Sequence, residues 1–197
     1  MTQRFQTDRA KVPSDFPTHL HASEFWEELG RTVATFGFLE ETLGKAIFAL
    51  TATREYPEDE IQKAYEKWLK VLERAISDPL GGLITSYEAA LRAHQNGTPS
   101  RSESLIANLK EAARLRNVLC HGSWGAPNSD GASKPKFVSN KLETFEEWVD
   151  VSFLAQTRKA TAHMICDVID SVAQMGFQFP GSNGPGKVIW ETSSASP

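Results

Sequence analysis

Apolar residues recurring every three or four positions constrain this chain more than any other feature. Trp26, Leu29, Val33, Phe36, Leu43, Ile47 and Leu50 share one stripe of a helix that starts near Ser23. Glu40 is the one charged residue where that stripe calls for an apolar one. Pro57 suits the first position of a second helix, and Glu58, Asp59 and Glu60 suit its positive N-terminal dipole. Its stripe is Ile61, Tyr65, Trp68, Leu72 and Ile76. Asp78-Pro79 predicts the cap and start of a third helix, with Leu80, Leu83, Ile84, Tyr87 and Leu91 on its apolar face and Asn96-Gly97 at its end.

Ser100 or Ser102 can cap a fourth helix carrying Leu105, Leu109, Ala112 and Leu119. Arg116 falls on the same stripe, and Gly122 suits the left-handed residue that stops a helix. Residues 122–150 are rich in turn formers, with short strand candidates at Lys136-Phe137-Val138 and near Trp148-Val149. Ser152 suits the cap of a fifth helix with the stripe Leu154, Thr157, Thr161, Met164, Val168, Val172 and Met175. The pattern predicts an all-α fold. It is an up-and-down bundle of about five helices, with a long loop or small hairpin after the fourth. A flexible arm (1–22) precedes the bundle (23–177), and a disordered Pro/Gly/Ser-rich tail (178–197) follows it.

The net charge of −4 argues against a broadly basic protein that coats nucleic acid, though it leaves room for a local RNA site. The two cysteines, Cys120 and Cys166, form no metal-ligand pair and no disulfide framework, so neither a metal site nor a cofactor is expected. Cys120 is expected to be a small buried hydrophobe. The polar N-terminus lacks a signal-peptide core, and no apolar run reaches the roughly 20 residues of a membrane span. A cytoplasmic location, with no membrane contact, is the expectation.

The chemistry-bearing segment is Arg116-Asn117-Val118-Leu119-Cys120-His121. Asn117 and His121 stand four apart, on nearly one helical face, and Arg116 precedes them. An imidazole can take or give a proton near neutrality. A guanidinium is a permanent cation whose planar fork matches phosphate oxygens. Such a set suits RNA cleavage by the substrate's own 2′-hydroxyl, where the protein moves a proton and stabilises charge on phosphorus. Arg158 and His163 repeat the spacing, but Lys159 replaces the small polar residue and no helix stop follows. Lys110, Arg114, Lys134 and Lys136 are candidate phosphate contacts, and Trp124 can pack over the segment or stack a base. His19, His21 and His94 read as loop or surface residues.

Arg116-Asn117-x-x-x-His121, followed by Gly122 and Trp124, resembles the signature of HEPN domains. The resemblance implies a helical-bundle homodimer and a metal-independent endoribonuclease of prokaryotic defence or toxin–antitoxin systems. Arg116, Asn117 and His121 would be its active-site trio. It also implies a possible partner protein, an antitoxin or a nucleotidyltransferase. The alternative is a non-catalytic dimerisation or partner-binding module. There Arg116 pairs with Glu40 to fix helix register, and His121 bonds the last helix carbonyls. In the catalytic version Glu40 supports Arg116.

Overall fold

A computed structural model describes residues 4–94, 102–139 and 142–184. The fold is all-α, with five α-helices and no named strand among the described residues. The helices are α1 (Ser23–Ala52), α2 (Ile61–Ser77), α3 (Leu80–Ala93), α4 (Ser102–His121) and α5 (Val151–Gln174). Asn96-Gly97, Ser100, the side chain of Ile76 and the tail after residue 184 lie outside the described residues. The chain divides into two compact units: Met1–Val33 with Asn117–Arg158, and Ala34–Arg116 with Lys159–Pro197. The division falls inside α1, α4 and α5.

The larger unit holds segments of all five helices around an apolar core. Phe36, Leu39, Leu43, Ile47 and Leu50 of α1 are buried, as are Leu83, Ile84 and Leu91 of α3. Leu105 and Leu109 of α4 and Met164, Val168 and Val172 of α5 complete it. Each such side chain contributes about 1.5–3 kcal/mol of burial free energy. Gly44 lets two backbones meet, because a Cβ there would stand 2.9 Å from the carbonyl oxygen of Ala75.

Tyr87 is wholly buried on α3, and its hydroxyl lies 2.6 Å from Ser171 Oγ on α5. Ser171 donates to the Val168 carbonyl, so Tyr87 is the donor between the two hydroxyls. Burial pushes the phenol up to about 12 from its ordinary 10.0. Below pH 10 this contribution is fully present, and it fades as pH rises from there through about 12. Tyr87→Phe keeps the ring and leaves Ser171 its bond to Val168. It is expected to cost about 1 kcal/mol in denaturant unfolding and to remove that part of the alkaline loss.

The smaller unit is built on the first turns of α1 and α5, the last turn of α4 and the segment 122–150. Phe25, Leu29, Val118, Leu119, Phe145, Val149 and Leu154 are among its buried apolar residues. Thr32 Oγ1 donates to the Leu154 carbonyl at 3.2 Å, and Arg158 pairs with Glu28. Arg158 is thereby committed to an ion pair, and α5 continues past His163 to Gln174.

Several local expectations are corrected. The α2 stripe is only partly covered: Ile61 and Tyr65 are 53% and 51% exposed. A single 3-10 turn, Glu58–Glu60, precedes α2, so Pro57 does not open the α-helix itself. Pro79, with no side-chain cap bond, is the N-cap of α3, and Asp78 instead closes α2. Asp150, not Ser152, caps α5, its carboxylate accepting the Phe153 N–H at 2.7 Å. The 122–150 segment carries isolated antiparallel bridges, Ser123 with Lys136, Ser133 with Val149 and Val138 with Thr144. Lys136–Val138 and Trp148-Val149 are therefore not partners in one hairpin.

Candidate active site at the end of helix α4

In the smaller unit, the last turn of α4 has two different sides. Val118 and Leu119 are buried, while Asn117, Cys120 and His121 are exposed. The exposure of Cys120 corrects the expectation of a buried hydrophobe, since its helical angle follows Asn117 and His121 rather than Leu119. The chain leaving the helix is held closely. Gly122 N–H donates to the Val118 carbonyl at 2.8 Å, and Ser123 and Lys136 exchange backbone bonds at 3.1 and 2.8 Å.

Gly122 is not left-handed. It is absent from the positive-φ glycines, and its role is close approach. A Cβ there would stand 2.6 Å from Val118 O and 2.8 Å from Pro135 Cβ. Trp124 sits edge-on to the buried ring of Phe25, with centroids 5.0 Å apart. This packing fixes the base of the turn that presents Asn117 and His121 to solvent.

In the larger unit, Arg116 Nη2 lies 3.3 Å from Glu40 Oε1. The two side chains retain 25% and 27% exposure. Glu40 Oε1 is buried and accepts no well-aligned hydrogen bond among the described residues, so the contact is Coulombic rather than a fork-to-carboxylate bond. The two charged residues that interrupt the apolar stripes of α1 and α4 thus meet each other.

Three of the four cations expected near the motif have ion-pair partners. Lys110 bonds Glu88 at 2.8 Å, and Arg114 pairs with Glu111. Lys134 lies 3.7 Å from Glu146 and 5.2 Å from the Trp148 ring centroid. Lys136 is exposed. Such exposed pairs contribute little to stability, and their ammonium groups exchange partners readily.

Two of the histidines expected in loops or at the surface lie in loop positions, His21 before α1 and His94 just after α3, but His94 is buried and His21 partly so. His94 is 5% exposed, with a ring nitrogen 3.3 Å from Thr53 Oγ1 and Phe177 against its ring. His21 stacks on Phe25 and meets the edge of Trp26, and its Nε2 is buried without a hydrogen-bond partner among the described residues. In the sequence the nearby aromatics Phe25 and Trp26 were the available signal for His21, while the ring partner of His94, Phe177, is distant along the chain. Desolvation lowers the His21 pKa below its ordinary 6.5. The unfolded chain therefore binds the extra proton first, and stability contributed by His21 is lost as pH falls below 6.5. A His21→Phe variant is expected to show a flatter loss of thermal stability below that pH than the parent chain.

Among the described residues no group of three or more His, Cys, Asp or Glu is placed to hold a metal ion. No helix there is long and apolar enough to cross a membrane. No protein-family profile, curated protein or solved structure matches the chain.

Proposed function

We propose that the chain is a HEPN-like endoribonuclease that cleaves RNA by internal attack of the 2′-hydroxyl, without a metal ion. The observation that carries this reading is the exposed pair Asn117 and His121, four residues apart on a turn anchored by Val118, Leu119 and Gly122. In this reading His121 takes the 2′-hydroxyl proton or delivers one to the leaving 5′-oxygen. The bond from the 2′-oxygen to phosphorus forms as the bond from phosphorus to the 5′-oxygen breaks. Asn117 positions the phosphate. Arg116, the preceding residue of the same helix, stabilises the developing negative charge, with Glu40 holding its side chain. The resemblance extends the reading to a homodimer in a defence or toxin–antitoxin system, with an antitoxin or nucleotidyltransferase as partner; its cytoplasmic location rests on the two unpaired cysteines.

Incubation with RNA is expected to give 2′,3′-cyclic phosphate and 5′-hydroxyl ends, with equal rates before and after chelation. Products bearing 5′-phosphates would sink the reading. The Arg116–Glu40 pair favours a second one, a non-catalytic dimerisation or partner-binding module whose ion pair holds α1 to α4. In that case no cleavage is seen at any enzyme concentration.

A further inference from the structure

The half-covered apolar side of α2 has a candidate occupant in the chain's own tail. We infer that Val188-Ile189-Trp190 docks on this side, with the Trp190 indole in the pocket between the end of α1 and the start of α2. Ile61, Tyr65 and Leu69 recur every four residues on α2, and all three are exposed. Phe48 extends the exposed apolar surface onto α1, its ring 5.9 Å from that of Trp68. An apolar surface continuous across two helices marks a place where something else binds. Within it lies a cavity of 250 Å³, lined by Ala52, Tyr56, Ile61, Ala64, Tyr65 and Trp68. Tyr65 and Trp68 stand 6.0 Å apart, and Trp68 is held by its Nε1–H bond to Thr51 Oγ1 at 3.1 Å. Rings and methyl groups form the walls, which suits the edge or face of one more aromatic side chain.

The tail supplies that side chain. From Pro180 to Pro197 the sequence is small or polar residues and prolines, except at Val188-Ile189-Trp190. Three adjacent large apolar residues gain by leaving water, and the Gly- and Ser-rich chain around them serves as a tether. The tether starts beside the helix that leads to the pocket. A Cβ on Gly181 would stand 3.8 Å from Lys45 Nζ. Lys45, Phe48 and Ala52 recur at spacings of three and four, so they share one face of α1, and Ala52 lines the pocket. Lys45 and Ala52 are about 10 Å apart along the helix axis. From Gly184, the last described residue, the chain reaches up to about 20 Å by Trp190. The indole therefore spans the distance with length left for a turn.

Charge agrees with this placement. Glu191 follows Trp190, and the cavity adjoining the pocket carries Arg54, Lys63, Lys67 and Arg74 against Glu55 and Glu60. An anion beside the anchor is attracted there. Tethering favours this occupant over a second molecule, because a short linker presents its own segment at an effective concentration in the millimolar range.

Fluorine NMR of the full chain labelled with fluorotryptophan reads the docking. Of the five tryptophan resonances, that of Trp190 is the one lost in Trp190→Phe. Its position is expected to differ from that in an equally labelled synthetic peptide of residues 185–197, and to hold over an about tenfold dilution. Ile61→Ser with Tyr65→Ser, both more than half exposed, is expected to move it to the peptide position. The same variant is expected to be cut by trypsin after Lys187 at least about tenfold faster than the parent, since cleavage follows the population of released tail. Ile189→Ser with Trp190→Ser, which leaves the helices untouched, is expected to speed that cut as much. Circular dichroism checks that each variant is folded. The inference is overturned if the Trp190 resonance of the full chain coincides with that of the peptide, which leaves the surface to a partner absent from the sample. It is overturned if the displacement fades on dilution, which assigns a second copy of the chain. It is also overturned if the pocket variant leaves the resonance in place, or if either variant is cut no faster than the parent.

Discussion

His121→Ala is expected to lower RNA cleavage by about 10²–10⁴-fold, the range over which a positioned acid or base accelerates proton transfer. The same substitution should change unfolding free energy by no more than about 0.5 kcal/mol. His121 is exposed at the last position of α4, and the buried side of that turn is Val118 and Leu119. Removing an exposed imidazole opens no cavity and strands no buried partner. The combination is diagnostic. Cleavage lost from a fully stable protein places the imidazole in the chemistry. Undiminished cleavage would remove His121 from it, and with it the proposed mechanism. The measurement pairs initial rates on a labelled RNA with a denaturant melt of the same preparation.

Gly122→Ala is expected to destabilise the protein by about 1–3 kcal/mol, as forced overpacking does. The added methyl would stand 2.6 Å from the Val118 carbonyl oxygen and 2.8 Å from Pro135 Cβ. A backbone oxygen cannot swing aside as a side-chain end can. Relief requires the last turn of α4 to part from the segment that carries Pro135, which strains the Ser123–Lys136 bridge. For a chain of this length the loss corresponds to a fall in Tm of roughly 2–12 °C, read by calorimetry. Because His121 is the adjacent residue, activity is expected to fall more than stability alone explains. A Gly122→Ala protein as stable as the parent would show that the close approach carries no weight.

Periodicity was a good guide where a helix has a covered face and a poor one where it has not. Every apolar residue expected on α3 is buried, and so are Leu154, Thr161, Met164, Val168 and Val172 on α5 and Met175 just past its end. On α2 the same spacing leaves Ile61 and Tyr65 open. The period identifies an amphipathic helix but says nothing of what covers its apolar side. Caps were displaced by one or two residues for a related reason. Asp78, Asp150 and Ser152 all have capping side chains, and only backbone geometry at each end decides which oxygen reaches an N–H.

The segment the chain presents at Arg116–His121 was legible without any tertiary information. A helix end, an imidazole, an amide four residues before it and a guanidinium are all local features of the sequence. So were the two charges, at 40 and 116, that interrupt apolar stripes. Tertiary structure alone decided how these residues are held. It brought Glu40 to Arg116 at 3.3 Å with poor hydrogen-bond alignment. It turned Cys120 outward, drew His21 and His94 inward, and made Gly122 a point of close contact instead of a left-handed stop. It also placed Lys63, Lys67 and Arg74 beside three aromatic rings. The division has a physical cause. Helix formation and the facing of residues on it are set within a few residues of chain. Burial, ion pairing and close approach depend on segments distant in sequence, and nothing in the local pattern encodes their separation in space.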